Sequence, residues 1–138
     1  METIPAVAVL IIKDHKVLLV KHGEASGHIN GVYGLPAGRL QKGETEKASA
    51  VRELSEETGL VILEDDLIEY HSNVFTAEVK RKGEKTELYA MKVFVCHTFR
   101  GKLQSSDETE PEWVEIARLD EYDLLPNVKD AVMREVKW

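Results

Sequence analysis

The chain has one cysteine in 138 residues, Cys96, so no intrachain disulfide can form. That excludes the disulfide-stapled secreted folds and suits a reducing, cytoplasmic setting. Cys96 closes the apolar run Val93-Phe94-Val95-Cys96, where a small core residue is expected rather than a reactive thiol. No uninterrupted apolar stretch approaches the roughly 18–20 residues of a membrane span, so no membrane partner is expected. Met1-Glu2-Thr3 lacks the basic-then-apolar pattern of a secretory signal. Basic charge is short as well: 18 Lys and Arg against 25 Asp and Glu leave a formal net charge of −7. That argues against broad nucleic-acid binding, which needs a basic stripe. Internal repeats, low-complexity tracts and linkers are missing too. The expectation is a single domain over residues 1–138, long enough to bury a core.

Hydrophobic and charged residues make up 43% and 31% of the chain, ordinary for a globular protein, so the pattern must carry the reading. Residues 6–12 and 17–20 are apolar and β-branched, and read as strands joined by the polar turn Lys13-Asp14-His15-Lys16 into a hairpin. Residues 21–31 read as an exposed loop, and 32–35 as a short extended piece before Pro36. Residues 67–79 and 87–99 read as long strands around a charged turn, and Lys80, Arg81, Lys82 and Lys85 as its solvated tip. Residues 105–111 form an acidic loop, and 113–116 a short strand. Asn127 caps a last helix through Val136. Interleaved strands and helices mean an α/β chain.

The clearest element starts near Thr45 and stops at Gly59. Thr45 suits an N-cap, Ala48, Val51 and Leu54 repeat at helical spacing, and Gly59 suits a left-handed C-cap. On this helix Glu53 stands three and four residues from Glu56 and Glu57, so all three carboxylates share one face. Each like-charge pair costs a helix about 0.3 kcal/mol, and a divalent cation would offset it. Carboxylate oxygens suit Mg²⁺ or Mn²⁺, ions that commonly bridge protein and substrate phosphates.

The full pattern is Gly38, five residues, Glu44, seven residues, then Arg52-Glu53-Leu54-Ser55-Glu56-Glu57-Thr58-Gly59-Leu60. It resembles the box of the Nudix hydrolases at every fixed position from Gly38 to Leu60. Ala37 stands where many members have a second glycine. The resemblance implies the Nudix fold, a mixed β-sheet sandwiched between α-helices, and hydrolysis of a nucleoside diphosphate linked to another group. It implies Mg²⁺ or Mn²⁺ held by Glu53, Glu56 and Glu57 with the Gly38 carbonyl. Glu53 is either ligand or proton-accepting base, and Arg52 orients a glutamate. Glu110, in Glu110-Pro111-Glu112-Trp113, is the preferred extra ligand. Lys21, His28 and Arg39 lie near the box in sequence and are candidates for substrate phosphates, and Asn127 for a base.

Two substrate classes compete. One is nucleoside triphosphates, oxidised ones included. The other is ADP-ribose, nucleotide sugars or dinucleotides. The ADP-ribose branch commonly carries a proline some sixteen residues past the box, and residues 61–80 contain none. A noncatalytic nucleotide sensor is the rival of another class, and the intact box glutamates speak against it. Pairing into a homodimer is an expectation from the family alone.

Overall fold

The computed structural model describes residues 2–70 and 75–137. Its first strand, β1 (Thr3–Leu10), is apolar on both faces because each face meets a different core. Val7 and Val9 pack with Ala50 and Leu54 of α1 (Glu46–Thr58). Ala8 and Leu10 pack with Val128, Ala131 and Val132 of α2 (Val128–Lys137). The sheet is therefore enclosed by one helix on each side, the mixed α/β sandwich that the resemblance implies.

After β1 come β2 (Ile12–Lys13), β3 (Lys16–His22), β4 (Tyr33–Gly34) and β5 (Ala37–Arg39). β6 (Leu67–Glu69), β7 (Phe75–Lys80), β8 (Thr86–Cys96) and β9 (Thr109–Glu115) lie between the helices in the chain. One sheet has the order β5-β1-β8-β6, with β7 also on β8. Only the β1–β8 ladder in it is parallel, so the sheet is mixed. In the second sheet β3 pairs with β2, β4 and β9, all antiparallel. Among the described residues no helix is long and apolar enough to cross a membrane.

Several expectations shift. The hairpin joins β2 to β3, not β1 to β3. Asp14 and His15 take positive φ values of 52° and 64°, a turn whose twist matches a two-residue hairpin. β1 instead pairs with β5 and β8, because a fully apolar strand gains most at the centre of a sheet. The strand expected over residues 67–79 is two strands, β6 and β7, on the same side of β8. Leu67 pairs with Cys96 and Phe75 with Met91, so eight steps on one side oppose five on the other. Residues 71–74 of that expectation lie outside the described residues. β9 is longer than the expected 113–116 and begins at Thr109, inside the stretch read as an acidic loop.

Asn127 stands at the N-cap position of α2, as expected, but with an unusual backbone. Its φ is 70°, in the left-handed region, whereas a capping residue is normally extended. Its carbonyl accepts from the Ala131 N–H at 2.9 Å.

Candidate active site

The box helix forms for reasons visible in the sequence. Thr45 Oγ1 accepts from the Ala48 N–H at 3.1 Å, which satisfies one free amide of the first turn. Gly59 ends the helix at φ 83°, and its N–H reaches the Ser55 carbonyl at 3.0 Å. With Ala50 and Leu54 turned into the core, Glu53 and Glu57 face β5 and the chain before it.

Arg52 joins that helix to the preceding loop. Its guanidinium donates to both oxygens of Glu44 at 2.7 and 3.0 Å, to Glu53 Oε1 at 2.8 Å, to Glu56 Oε2 at 3.2 Å and to the Arg39 carbonyl at 3.3 Å. The Arg52 bonds, with help from the Gln41 N–H, hold the Glu44 carboxyl down at about 2. Glu57 is held differently, accepting from the Ala37 N–H at 2.7 Å. Burial pushes its carboxyl up to about 8; the Ala37 N–H opposes this, and Glu53, Glu108 and Glu56 add to it. Burial also raises Glu53, against the pull of Arg52.

These carboxylates form one wall of an open cavity of about 250 Å³. Gly38, Glu53, Glu57 and Glu108 line that wall. Leu35, Phe75, Val79, Met91, Leu125 and Val128 supply an apolar floor. A second polar wall carries His22, His28, Arg39, Arg81 and Tyr89, and Asn127 lies at the rim near the start of α2.

The candidate residues do not all gather there. Gly38, Arg39, Glu53, Glu57, His28 and Asn127 line the cavity. Arg52 and Glu56 do not line it; the Arg52 guanidinium joins Glu56 to Glu53, which does. Lys21 and Glu110 do not line it; they are exposed and paired across β3 and β9. The acidic residue of this stretch that lines the cavity is Glu108, not the Glu110 preferred from the sequence. The Thr109 hydroxyl donates to the Glu57 carbonyl at 3.1 Å, which holds the start of β9 against the end of the box helix, and Glu108, just before the strand, lines the cavity. His28, a candidate for substrate phosphates, is in the cavity lining. Burial, then His22 and Arg81, lowers its pKa to about 3.

Among the described residues no three acidic, histidine or cysteine side chains converge as a metal cage. Arg52 stands between Glu53 and Glu56, and Glu57 is turned to the Ala37 amide. The donor set still fits a hard divalent cation, for two reasons. Every donor at the wall is a carboxylate or carbonyl oxygen. Glu57 is buried among carboxylates with no cation bonded to it, which a bound cation would correct.

The sequence reading missed Arg81, Glu87, Tyr89, His22 and Glu108. Phe75, Ala77 and Val79 of β7 and Arg81 just past its end alternate, and all line the cavity. Period two was thus the overlooked signal for Arg81, hidden by its place in a basic run.

A family profile for the NUDIX domain matches residues 2–136. The oxidized purine nucleoside triphosphate hydrolase of Danio rerio is 34% identical over 113 residues, 80% of this chain and 65% of that protein. The ADP-ribose pyrophosphatase of Methanocaldococcus jannaschii is 32% identical over 118 residues, 83% of this chain and 64% of that protein. Both alignments span just under two thirds of those relatives' own length. The solution structure of the E. coli ORF135 protein superposes with a TM-score of 0.73 at 25% identity, covering 97% of this chain and 91% of that one.

Proposed function

The chain belongs to the NUDIX domain family, and from that premise we propose that it hydrolyses the pyrophosphate linkage of nucleoside triphosphates, oxidised purine forms first among them. The observation that carries this reading is the division of one cavity. Box carboxylates line one wall, hydrogen-bond donors the other, and an apolar floor joins them. Phosphates belong at the carboxylate wall with a cation, and a flat base belongs on the floor.

Glu53, Glu56 and Glu57 are the residues that would hold Mg²⁺ or Mn²⁺, beside Gly38. When bound, such an ion neutralises phosphate charge and lowers the pKa of water. The rest is the work of the chain. Water's oxygen bonds to phosphorus, the bridging P–O bond breaks, and the water proton passes to a carboxylate, for which Glu53 is the candidate base. Arg52 fixes Glu53 by a 2.8 Å bond, so its free oxygen is presented in one orientation. Glu44 anchors Arg52 in turn.

The test is product release from normal and oxidised triphosphates, ADP-ribose and nucleotide sugars, with Mg²⁺ or Mn²⁺. A preferred triphosphate yielding monophosphate and pyrophosphate supports the reading. Preference for ADP-ribose transfers the site to the second class named by the relatives. Nucleotide binding without hydrolysis leaves a sensor.

A further inference from the structure

The segment between β3 and β4 is a closed loop. The His22 N–H donates to the Val32 carbonyl at 2.8 Å and the Gly31 N–H to the His22 carbonyl at 2.7 Å, so the two ends are joined. Residues 23–31 thus form a compact loop of the Ω kind. Its Ser26, Gly27 and His28 line the cavity. Ser26 Oγ meets His22 Nδ1 at 2.8 Å and accepts from the His28 N–H at 3.2 Å. A short surface loop with few buried apolar groups opens at little cost unless another segment holds it.

The turn between β7 and β8 holds this one. His28 and Arg81 form an antiparallel bridge. The Lys82 N–H donates to the Gly27 carbonyl at 3.1 Å, and Lys82 Nζ donates to the Gly23 carbonyl at 3.3 Å and to the Glu24 carbonyl. Arg81 carries the contact on to the sheet. Its Nη1 donates to His28 Nε2 at 3.1 Å and to Tyr89 Oη at 2.9 Å. Arginine has no acceptor, so His28 Nε2 is the accepting atom. Tyr89 Oη donates in turn to Glu87 Oε1 at 3.0 Å. Arg81 Nε faces the same Glu87 oxygen at 3.7 Å, and a β-carbon on Gly27 would stand 2.1 Å from Nη2. Each nitrogen of this guanidinium is thus bonded to, or packed on, the protein itself.

We infer that Arg81 is a positioning residue: it fastens loop 23–31 to β8 and so fixes the cavity wall against which a nucleotide binds, without touching the nucleotide. The inference rests on the reading of the cavity as a nucleotide site and names what holds a wall of that site in place. An unfastened loop has to be ordered by the ligand, and the cost of that ordering is lost from affinity. The box carboxylates stand on α1, whereas the partners of Arg81 lie on the loop and on β8, so the chemical step keeps its geometry. Gly27 belongs to the same device, since a β-carbon there displaces the guanidinium. The displaced atoms are the end of a flexible side chain, so Gly27→Ala undoes the fastening and spares the fold.

The test compares wild type, Arg81→Gln, Gly27→Ala and the double variant. Amide exchange of residues 23–31 is followed by mass spectrometry. Dissociation constants for GTP and ADP-ribose are measured by calorimetry with Ca²⁺, and kcat and KM with Mg²⁺. Each single variant should exchange the loop amides about tenfold faster or more, the loss of one or two hydrogen bonds, and melt within a few degrees of wild type. Kd and KM for the nucleotide that wild type binds should rise about tenfold, with kcat within about twofold. The double variant should match Arg81→Gln, because both changes remove one and the same contact. Unchanged loop exchange, an unchanged Kd beside a wild type that binds, or additive losses in the double variant overturns the inference alone. No binding of either nucleotide by wild type overturns the nucleotide reading and the inference with it. The same shifts in Kd without any turnover keep Arg81 in this role and remove the hydrolase reading instead.

Discussion

Gly38 and Glu53 are packed so closely that a β-carbon on residue 38 would stand 2.1 Å from the Glu53 carboxyl carbon. The glycine at the head of the box is a seat for the carboxylate. Glu53 is also bonded to Arg52, so its position is fixed from two sides.

Gly38→Ala should therefore spare the fold and harm turnover. The clashing atoms are the end of a flexible side chain, which can swing aside at little cost in stability. A carboxylate displaced by about 1 Å loses on the order of a hundredfold in rate. Thermal melting within a few degrees of wild type, with kcat down by that order, is the expected pair of results. Unchanged kcat would remove Glu53 from the chemistry.

Arg52 bonds to three carboxylates, Glu44, Glu53 and Glu56. Arg52→Lys should cost about 2 kcal/mol of stability, after discount for its partial exposure, and weaken metal affinity. A single ammonium cannot span Glu44 and Glu53 together. Denaturant melts and metal titrations of Arg52→Lys beside wild type check this. Equal stability and equal metal affinity would show that Arg52 positions nothing.

Glu57 should couple metal to stability. Saturating Mg²⁺ or Mn²⁺ at about a hundred times Kd stabilises the native state by about 2.7 kcal/mol, if only the folded chain binds it. Melting temperature should rise by several degrees with metal in wild type and by much less in Glu57→Gln. Chelator should reverse the rise. The same rise in both proteins would place the metal elsewhere.

Acid should destabilise the chain through His22 and His28. Burial lowers His22 to about 4, with Arg81 and Lys82 adding. Burial lowers His28 to about 3, with His22, Arg81 and Arg39 adding and Glu87 opposing. Below the unfolded value of about 6.5 the unfolded chain takes up protons that the native chain refuses. Stability is thus full above that pH and falls toward pH 4, by up to about 1.4 kcal/mol per pH unit for each histidine. Replacing both histidines by glutamine should flatten the melting profile between pH 6.5 and 4.5. Parallel profiles would mean that the rings are protonated in the native state.

Local signals made the box helix legible from the residues. Thr45, Gly59 and the apolar stripe act within a few turns, so one sequence suffices to read them. Interleaved strands and helices gave an α/β chain, whereas the sandwich itself came from the resemblance of the box, not from any strand pattern. Pairing partners were not legible. Whether residues 6–10 meet β3 or β8 is decided by burial across the whole sheet, which no short window contains. That Glu108 rather than Glu110 lines the cavity was not legible, because it depends on where β9 starts and on Thr109 meeting the end of the box helix. Arg81 looked like a solvated tip because its neighbours Lys80 and Lys82 are exposed, and only the tertiary structure places it in the cavity lining.

The most direct measurement is pyrophosphate and phosphate release from a nucleotide panel, with Mg²⁺ or Mn²⁺, beside Glu57→Gln. The expected result is one preferred nucleoside triphosphate, cleaved to monophosphate and pyrophosphate, with turnover lost in the variant and in chelator. Equal turnover by wild type and Glu57→Gln, or no turnover of any nucleotide with metal present, would contradict a box-centred hydrolase.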